Sequence, residues 1–294
     1  AHECSRFPSF IQLPSCSTIV ARLKKQNWWQ IIYPTIRYTI ARQVGALRKL
    51  GFQVADKATG RVLVELRNRQ AFESGIVLVG TLAWAAWMNE LGASVVAART
   101  LDVDLAVRSM KLAVPLDFPE SMRATTLPFH RMSGPHPAEL ATSVKLPGVQ
   151  GLRVDVFAPG TRPGEAVRVR DLGWAAQSVP FYDWLLEAPE AGAVLAGGHC
   201  VPVRLPQAAR FVWHKLYSST QRRGFPEKAE KDRWQALLLA AVLAEQDSDQ
   251  LVQALSEAPK RLLMPVRPLL PRLMSQAERH PALRDILSGL YRGA

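Results

Sequence analysis

The chain is short of cysteine, of long apolar runs and, near both ends, of acid. Cys4, Cys16 and Cys200 form an odd, scattered set with no Cys-x-x-Cys, which excludes a disulfide framework and a cysteine zinc site. No apolar run approaches the ~20 residues a membrane helix requires, so no membrane partner is expected. The opening Ala1-His-Glu-Cys-Ser-Arg6 lacks the charged-then-apolar plan of a signal peptide, and the expected location is cytoplasmic. No internal repeat and no low-complexity segment is visible. Acid is scarce at the flanks. Residues 1–50 carry eight Lys or Arg against Glu3 alone, and residues 260–294 carry seven against Glu278 and Asp285, within a net charge of +12. Basic flanks around a more balanced middle favour a polyanionic partner, nucleic acid or nucleotide phosphates; the plainer account is solubility.

What is present suits 294 residues with an ordinary hydrophobic fraction of 48%: a catalytic-size domain with smaller additions. Residues 1–27 read as an irregular arm. From Trp28 to Leu50, Ile32, Ile36, Ile40, Val44 and Leu47 recur at helical spacing among basic residues, and Gly51 is a plausible C-cap. Phe52-Gln-Val-Ala55 and Arg61-Val-Leu-Val-Glu65 flank Asp56-Lys-Ala-Thr-Gly60, the pattern of a hairpin. A short helix over about 66–73 follows. Beyond a proline-rich loop, Leu152–Phe157 alternates as a strand. Residues 193–204 read as a hairpin turning at Gly197-Gly198. Helices are expected over about 207–220 and 228–244, then a helical tail broken by Pro259, Pro265, Pro268 and Pro271. The economical architecture is α+β: a basic N-terminal segment (1–65), a mixed-sheet domain (66–206) and a helical domain (207–294).

The chemistry concentrates between Gly75 and Val107. Ile76–Val79 is a wholly apolar β-branched run, the mark of a buried strand, and stops at Gly80-Thr81 before a helix-like segment over 82–91. In Leu101-Asp-Val-Asp-Leu-Ala-Val107 the acids alternate with apolar residues. A strand therefore points Asp102 and Asp104 to one face, with Cα atoms roughly 6.5 Å apart. Two such carboxylates resist desolvation unless a cation sits between them. Asp155, on its own alternating strand with Arg153 and Phe157, makes a third. Three oxygen donors suit Mg²⁺, and paired ions can bridge the attacking oxygen and leaving phosphate of a phosphoryl transfer. Gly80 lets a backbone approach a triphosphate, and the hydroxyl and N–H of Thr81 can meet phosphate oxygens. Gly75-x-x-x-x-Gly80-Thr81 has the glycine spacing of a P-loop, but its Lys is missing and the intervening residues are a strand. His214 and Lys215 share a helix, where one is expected to pack inward and the other to face solvent or a cleft. The eight tryptophans are scattered, which fits core packing.

Val77-Leu-Val-Gly-Thr81, a helix ending in Asn89-Glu-Leu-Gly92, Arg99-Thr-Leu-Asp-Val-Asp-Leu105 and Leu152-Arg-Val-Asp155 together resemble the polymerase-β-like nucleotidyltransferase superfamily. Within it they are most like a group of bacterial nucleotidyltransferase-fold proteins related to abortive-infection-type toxins. That group also has passages similar to Val201-Pro-Val-Arg-Leu-Pro206, Arg210-Phe-Val-Trp-His-Lys-Leu216 and Lys231-Asp232 followed by Gln235-Ala236. The likeness covers roughly residues 66–245; the chain has Thr81 where Ser is commoner, and a long span from Gly80 to Asp102. It implies a palm-like mixed sheet flanked by helices and a Mg²⁺-dependent transfer of NMP from an NTP to a hydroxyl. Asp102, Asp104 and Asp155 would hold two metal ions, with Mn²⁺ as a substitute. Gly80, Thr81, Lys215, Lys231 and Asp232 would serve the nucleotide. The acceptor expected from the basic flanks is RNA, tRNA foremost, with a protein hydroxyl also compatible. The likeness further implies a toxin-like or defence enzyme, held by an antitoxin-like regulator. The rival is a nucleic-acid- or partner-binding protein that keeps the fold without turnover.

Overall fold

The computed structural model describes residues 29–96, 100–132, 139–222 and 224–292, with side chains from residue 38 onward. The expected arm over 1–27, and Arg99 at the start of the Arg99–Leu105 passage, lie outside the described residues. Helix α1 (Trp29–Lys49) ends at Gly51, whose φ of +93° is the left-handed value a glycine C-cap adopts. The N–H of Phe52 donates back to the carbonyl of Leu47 at 3.1 Å, closing that cap.

The hairpin expected across residues 52–65 is not formed. Residues 57–68 are helix α2 (Lys57–Asn68), and the Asp56 carboxylate caps it by accepting from the N–H of Thr59 at 2.8 Å. Val62, Leu63 and Leu66 are fully buried at helical spacing. Ala55 instead bridges Ala196 of a distant hairpin: its N–H donates to Leu195 at 2.8 Å, and its carbonyl accepts from Gly197 at 3.1 Å. Gly60 sits mid-helix because a Cβ there would lie 2.9 Å from the carbonyl oxygen of Ala196. The short alternation of 61–65 mimics a strand, while the cap and this docking decide for helix. Helix α2 runs on through residue 65, the expected end of the N-terminal segment. The single helix expected over 66–73 is accordingly divided between the end of α2 and a separate turn, α3 (Ala71–Ser74).

After α3 come β1 (Ile76–Val79), α4 (Gly80–Glu90) and β2 (Asp102–Val107). Next are α5 (Phe118–Ala124), β3 (His130–Met132), β4 (Ser143–Lys145), β5 (Arg153–Pro159), β6 (Ala166–Val169), β7 (Trp174–Val179) and α6 (Tyr182–Leu185). The seven strands form one mixed sheet in the order β1-β2-β5-β4-β3, with β7 also paired to β5 and β6 to β7. β1 and β2 are antiparallel, whereas β2 and β5 are parallel, with Asp104 opposite Asp155. A separate hairpin, β8 (Glu190–Ala196) and β9 (His199–Leu205), turns at Gly197-Gly198 as expected.

The chain closes with α7 (Ala208–Gln221), α8 (Pro226–Gln246), α9 (Ser248–Glu257), α10 (Lys260–Leu263), α11 (Leu270–Gln276) and α12 (Pro281–Arg292). Helix α4 ties sheet to helices. The indole N–H of Trp84 donates to the carbonyl of Gln235 on α8 at 2.9 Å, and that of Trp87 to Pro206 at 3.0 Å. One apolar cluster runs without a break from Val62 to Leu287. No helix among the described residues is long and apolar enough to cross a membrane.

Candidate functional site

Antiparallel pairing puts Val79, the last residue of β1, opposite Asp104, so Gly80 turns off the sheet directly over that carboxylate. Gly80 has φ +68°, and an added Cβ would fall 1.8 Å from Asp104 Oδ2. Two independent constraints therefore require glycine: the left-handed backbone and the missing side chain that makes room for the acid. Helix α4 begins at Gly80 itself, with Thr81 buried in its first turn.

Asp102 and Asp104 project from one face of β2, while Val103 and Leu105 are buried on the other. Desolvation raises the Asp104 carboxyl to about 7, and the charges of Asp155 and Asp102 push the same way against Lys215 and Arg222. Asp155, buried on β5, is likewise raised by desolvation, offset chiefly by Arg153. That guanidinium holds Asp155 Oδ1 through Nε at 2.8 Å and Nη2 at 2.7 Å, and the Ser143 hydroxyl also bonds the carboxylate.

The facing wall comes from α7 and α8. Lys215 Nζ lies 3.0 Å from Asp232 Oδ1, and Arg222 Nε lies 3.2 Å from its Oδ2. Burial pushes Asp232 up, but these two cations outweigh it and hold the carboxyl below its usual range. Lys231 is lowered by burial and then by the charge of Lys215, against the pull of Asp232, Asp102 and Asp104. His214 and Lys215 are both buried and both line the cleft, so the expected division between them is not found. Burial, reinforced by Lys215, takes His214 down to about 4, and it stands neutral. Its Nε2 donates to the carbonyl of Pro180 at 3.1 Å, and its Nδ1 accepts from Ser218 Oγ at 3.3 Å. Tyr182 and Tyr217 flank the imidazole with ring centroids at 5.1 and 5.7 Å, an aromatic wall that Phe157 extends.

Between these walls lies a cleft of about 550 Å³. Gly80, Thr81, Asp102, Asp104, Asp155, Lys215, Lys231 and Asp232 all line it, so the eight residues singled out in the sequence meet in one place. Sequence reasoning passed over Arg153 and Arg222 as partners of the acids, and Tyr182, Tyr217 and Lys228 as lining. A signal for Arg153 existed, since it stands two residues before Asp155 on the same strand face. Among the described residues, no three His, Cys, Asp or Glu side chains converge as a ready-made metal cage. The donor chemistry nevertheless fits a hard divalent cation. The donors are carboxylate oxygens, Asp104 is held high by burial and then by its acidic neighbours, and a guanidinium already supplies positive charge at Asp155.

The arrangement opposes clustered carboxylates to clustered cations across a space fit for a small charged ligand. A comparison with curated proteins finds no match. Two solved structures share a distant likeness. The antibiotic-resistance factor ANT(2'')-Ia is 15% identical over 67% of this chain and 86% of that one, with a TM-score of 0.35. An antigenic nucleotidyltransferase-like protein from Paracoccidioides brasiliensis is 16% identical over 79% and 92%, also with a TM-score of 0.35. A family model described as "Nucleotidyltransferase" matches residues 57–260. That span starts at α2, ends at the first residue of α10 and takes in every wall of the cleft, and by it the chain belongs to this nucleotidyltransferase family.

Proposed function

We propose that the protein moves a nucleoside monophosphate from an NTP to an acceptor hydroxyl, on RNA in preference to a protein. The observation that carries this is the register of β2 against β5: it sets three carboxylates at one end of the sheet, across a cleft from Lys215, Arg222 and Lys231. The triphosphate lies toward these cations and the N–H groups at the start of α4, which offset its charge. The base lies against the aromatic wall. The acceptor oxygen attacks the α-phosphorus, the bond between that phosphorus and the α,β-bridging oxygen breaks, and pyrophosphate leaves. Asp155 orients the hydroxyl and takes its proton, a role suited to a carboxyl raised by burial. Asp102, Asp104 and Asp155 would hold Mg²⁺, one or two ions with Mn²⁺ as substitute, and the metal would supply charge neutralisation at the phosphates.

The test incubates the purified protein with each α-labelled NTP and total RNA, followed by analysis of both RNA and protein for label. Asp102→Ala/Asp104→Ala should cut transfer by at least about 10²-fold. Gly80→Ala should lower it by on the order of 10²-fold, because its Cβ displaces the Asp104 carboxylate. Undiminished transfer by the double variant would falsify the assignment.

A further inference from the structure

The face of the sheet that carries the carboxylates does not end at the cleft. Residues opposite one another on neighbouring strands share a face, and so do residues two apart on one strand. The register therefore defines two rows on this face. One runs Val79, Asp104, Asp155, Ser143, Met132. The other runs Asp102, Arg153, Lys145, His130, from the acids out to β3, the edge strand. Beyond Asp102 every member of this second row is a cation or a nitrogen donor. Arg153 lines the cleft and is part-exposed, Lys145 is half-buried beyond its rim, and His130 is exposed. Strands about 4.8 Å apart put the three on a line about 10 Å long.

On β2, β5 and β4 the opposite face is apolar and closed, with Val103, Val154 and Val144 in the core, and on β3 it carries Arg131, whose guanidinium lies over the Trp174 ring. The polar face is thus where a ligand can lie. Lys145 is held by its own hydrogen bond, Nζ to the carbonyl of Val149 at 3.2 Å, which satisfies one of its three protons and, among the described residues, leaves its charge unpaired by acid. Arg153 gives its Nε and Nη2 to Asp155. The row leads straight to that carboxylate, so a ligand that follows it delivers its end beside the acids.

We propose that Arg153, Lys145 and His130 form a track for the sugar–phosphate backbone of a single-stranded RNA, whose terminal hydroxyl enters the cleft beside Asp155. This rests on nucleotidyl transfer as the activity and specifies where its acceptor lies. Repeating negative charge at intervals along a line is what a row of spaced donors complements, and a folded protein acceptor has no such repeat. A single strand is required because the end must pass a rim into a cleft of about 550 Å³ that also holds the nucleotide.

The experiment measures binding of a fluorescein-labelled oligouridylate to the full chain by anisotropy over a salt series, and binding of a fluorescent NTP analogue beside it. Lys145→Glu should weaken oligouridylate binding on the order of tenfold, and Lys145→Ala should shrink the slope of log affinity against log salt by about 0.7. His130→Glu, one strand further out and exposed, should act in the same direction with less effect. NTP affinity and Tm should stay at parental values, and Arg261→Glu, in the basic C-terminal segment, should leave oligouridylate affinity unchanged. The track is overturned if Lys145→Glu and His130→Glu bind the oligouridylate like the parent, or if Arg261→Glu weakens it equally. It is also overturned if label from an NTP appears only on protein while oligouridylate does not bind. Failure of the activity itself reads differently: the parent would bind oligouridylate along the track yet transfer label from no NTP.

Discussion

Asp104 is the residue on which most of the cleft converges. It lies beneath Gly80, beside Asp155 and Asp102, and within the field of Lys215 and Arg222. Its carboxyl titrates at about 7 in the fold against an ordinary 3.8. Between those values the folded chain keeps a proton that the unfolded chain has released. A raised pKa thus contributes stability in acid that is lost as pH climbs toward about 7. For the metal-free protein, Asp104→Asn should therefore raise Tm at mildly alkaline pH and flatten its decline on alkalinisation. Each kcal/mol is worth about 2–4 °C in a chain of this order. Added Mg²⁺ should raise the parent's Tm and leave the variant's nearly unmoved. A lower Tm for Asp104→Asn, or equal Mg²⁺ responses, would sink the idea that crowded acids await a cation here. Asp102 and Asp104 could be read from alternation alone, because an acid every second residue in an apolar strand is costly without a partner. Arg153 was legible by the same alternation, two residues before Asp155 on its strand, whereas Arg222 was not, since which acid it meets depends on helix packing.

Among the elements, the instructive one is α2. Five alternating residues, Arg61 to Glu65, are too few to separate a half-buried strand from a helix, and only the capping carboxylate of Asp56 and the docking of Gly60 on Ala196 settle it. Helices α7 and α8 were readable nearly to the residue, because long runs average over such ambiguity. Gly60→Ala separates the two influences on α2. In a free helix alanine gains about 1 kcal/mol over glycine. Here the new Cβ would stand 2.9 Å from the Ala196 carbonyl oxygen and 3.1 Å from its carbon, backbone that cannot swing aside. The contact should win, at a net cost of about 1–3 kcal/mol. Urea denaturation measures it, and a more stable variant would mean that the helix and the β8–β9 turn have slack between them.

At the scale of the molecule, sheet and helical tail share one core and one charge balance. The apolar cluster is continuous from Val62 to Leu287, and Trp84 and Trp87 both use their indole N–H groups on residues at or beyond the expected boundary near 206. The cleft is divided the same way: Asp102, Asp104 and Asp155 hang from the sheet, and Lys215, Arg222 and Lys231, whose charges bear on Asp104 or are drawn to it, come from α7, the segment after it and α8. A fragment spanning 57–206 would thus expose the buried face of α4, strand the indole donor of Trp84 and leave Asp102, Asp104 and Asp155 with Arg153 as their nearest compensation. Each loss is of the order of 1–3 kcal/mol, and a few of them exhaust the 5–15 kcal/mol by which a fold of this kind is stable. The full chain should unfold in one calorimetric transition that coincides with the change in tryptophan fluorescence, and the 57–206 fragment should show no cooperative transition. Two resolved transitions, or a fragment that melts cooperatively, would mean that the sheet carries its own core and that the helices merely close the site.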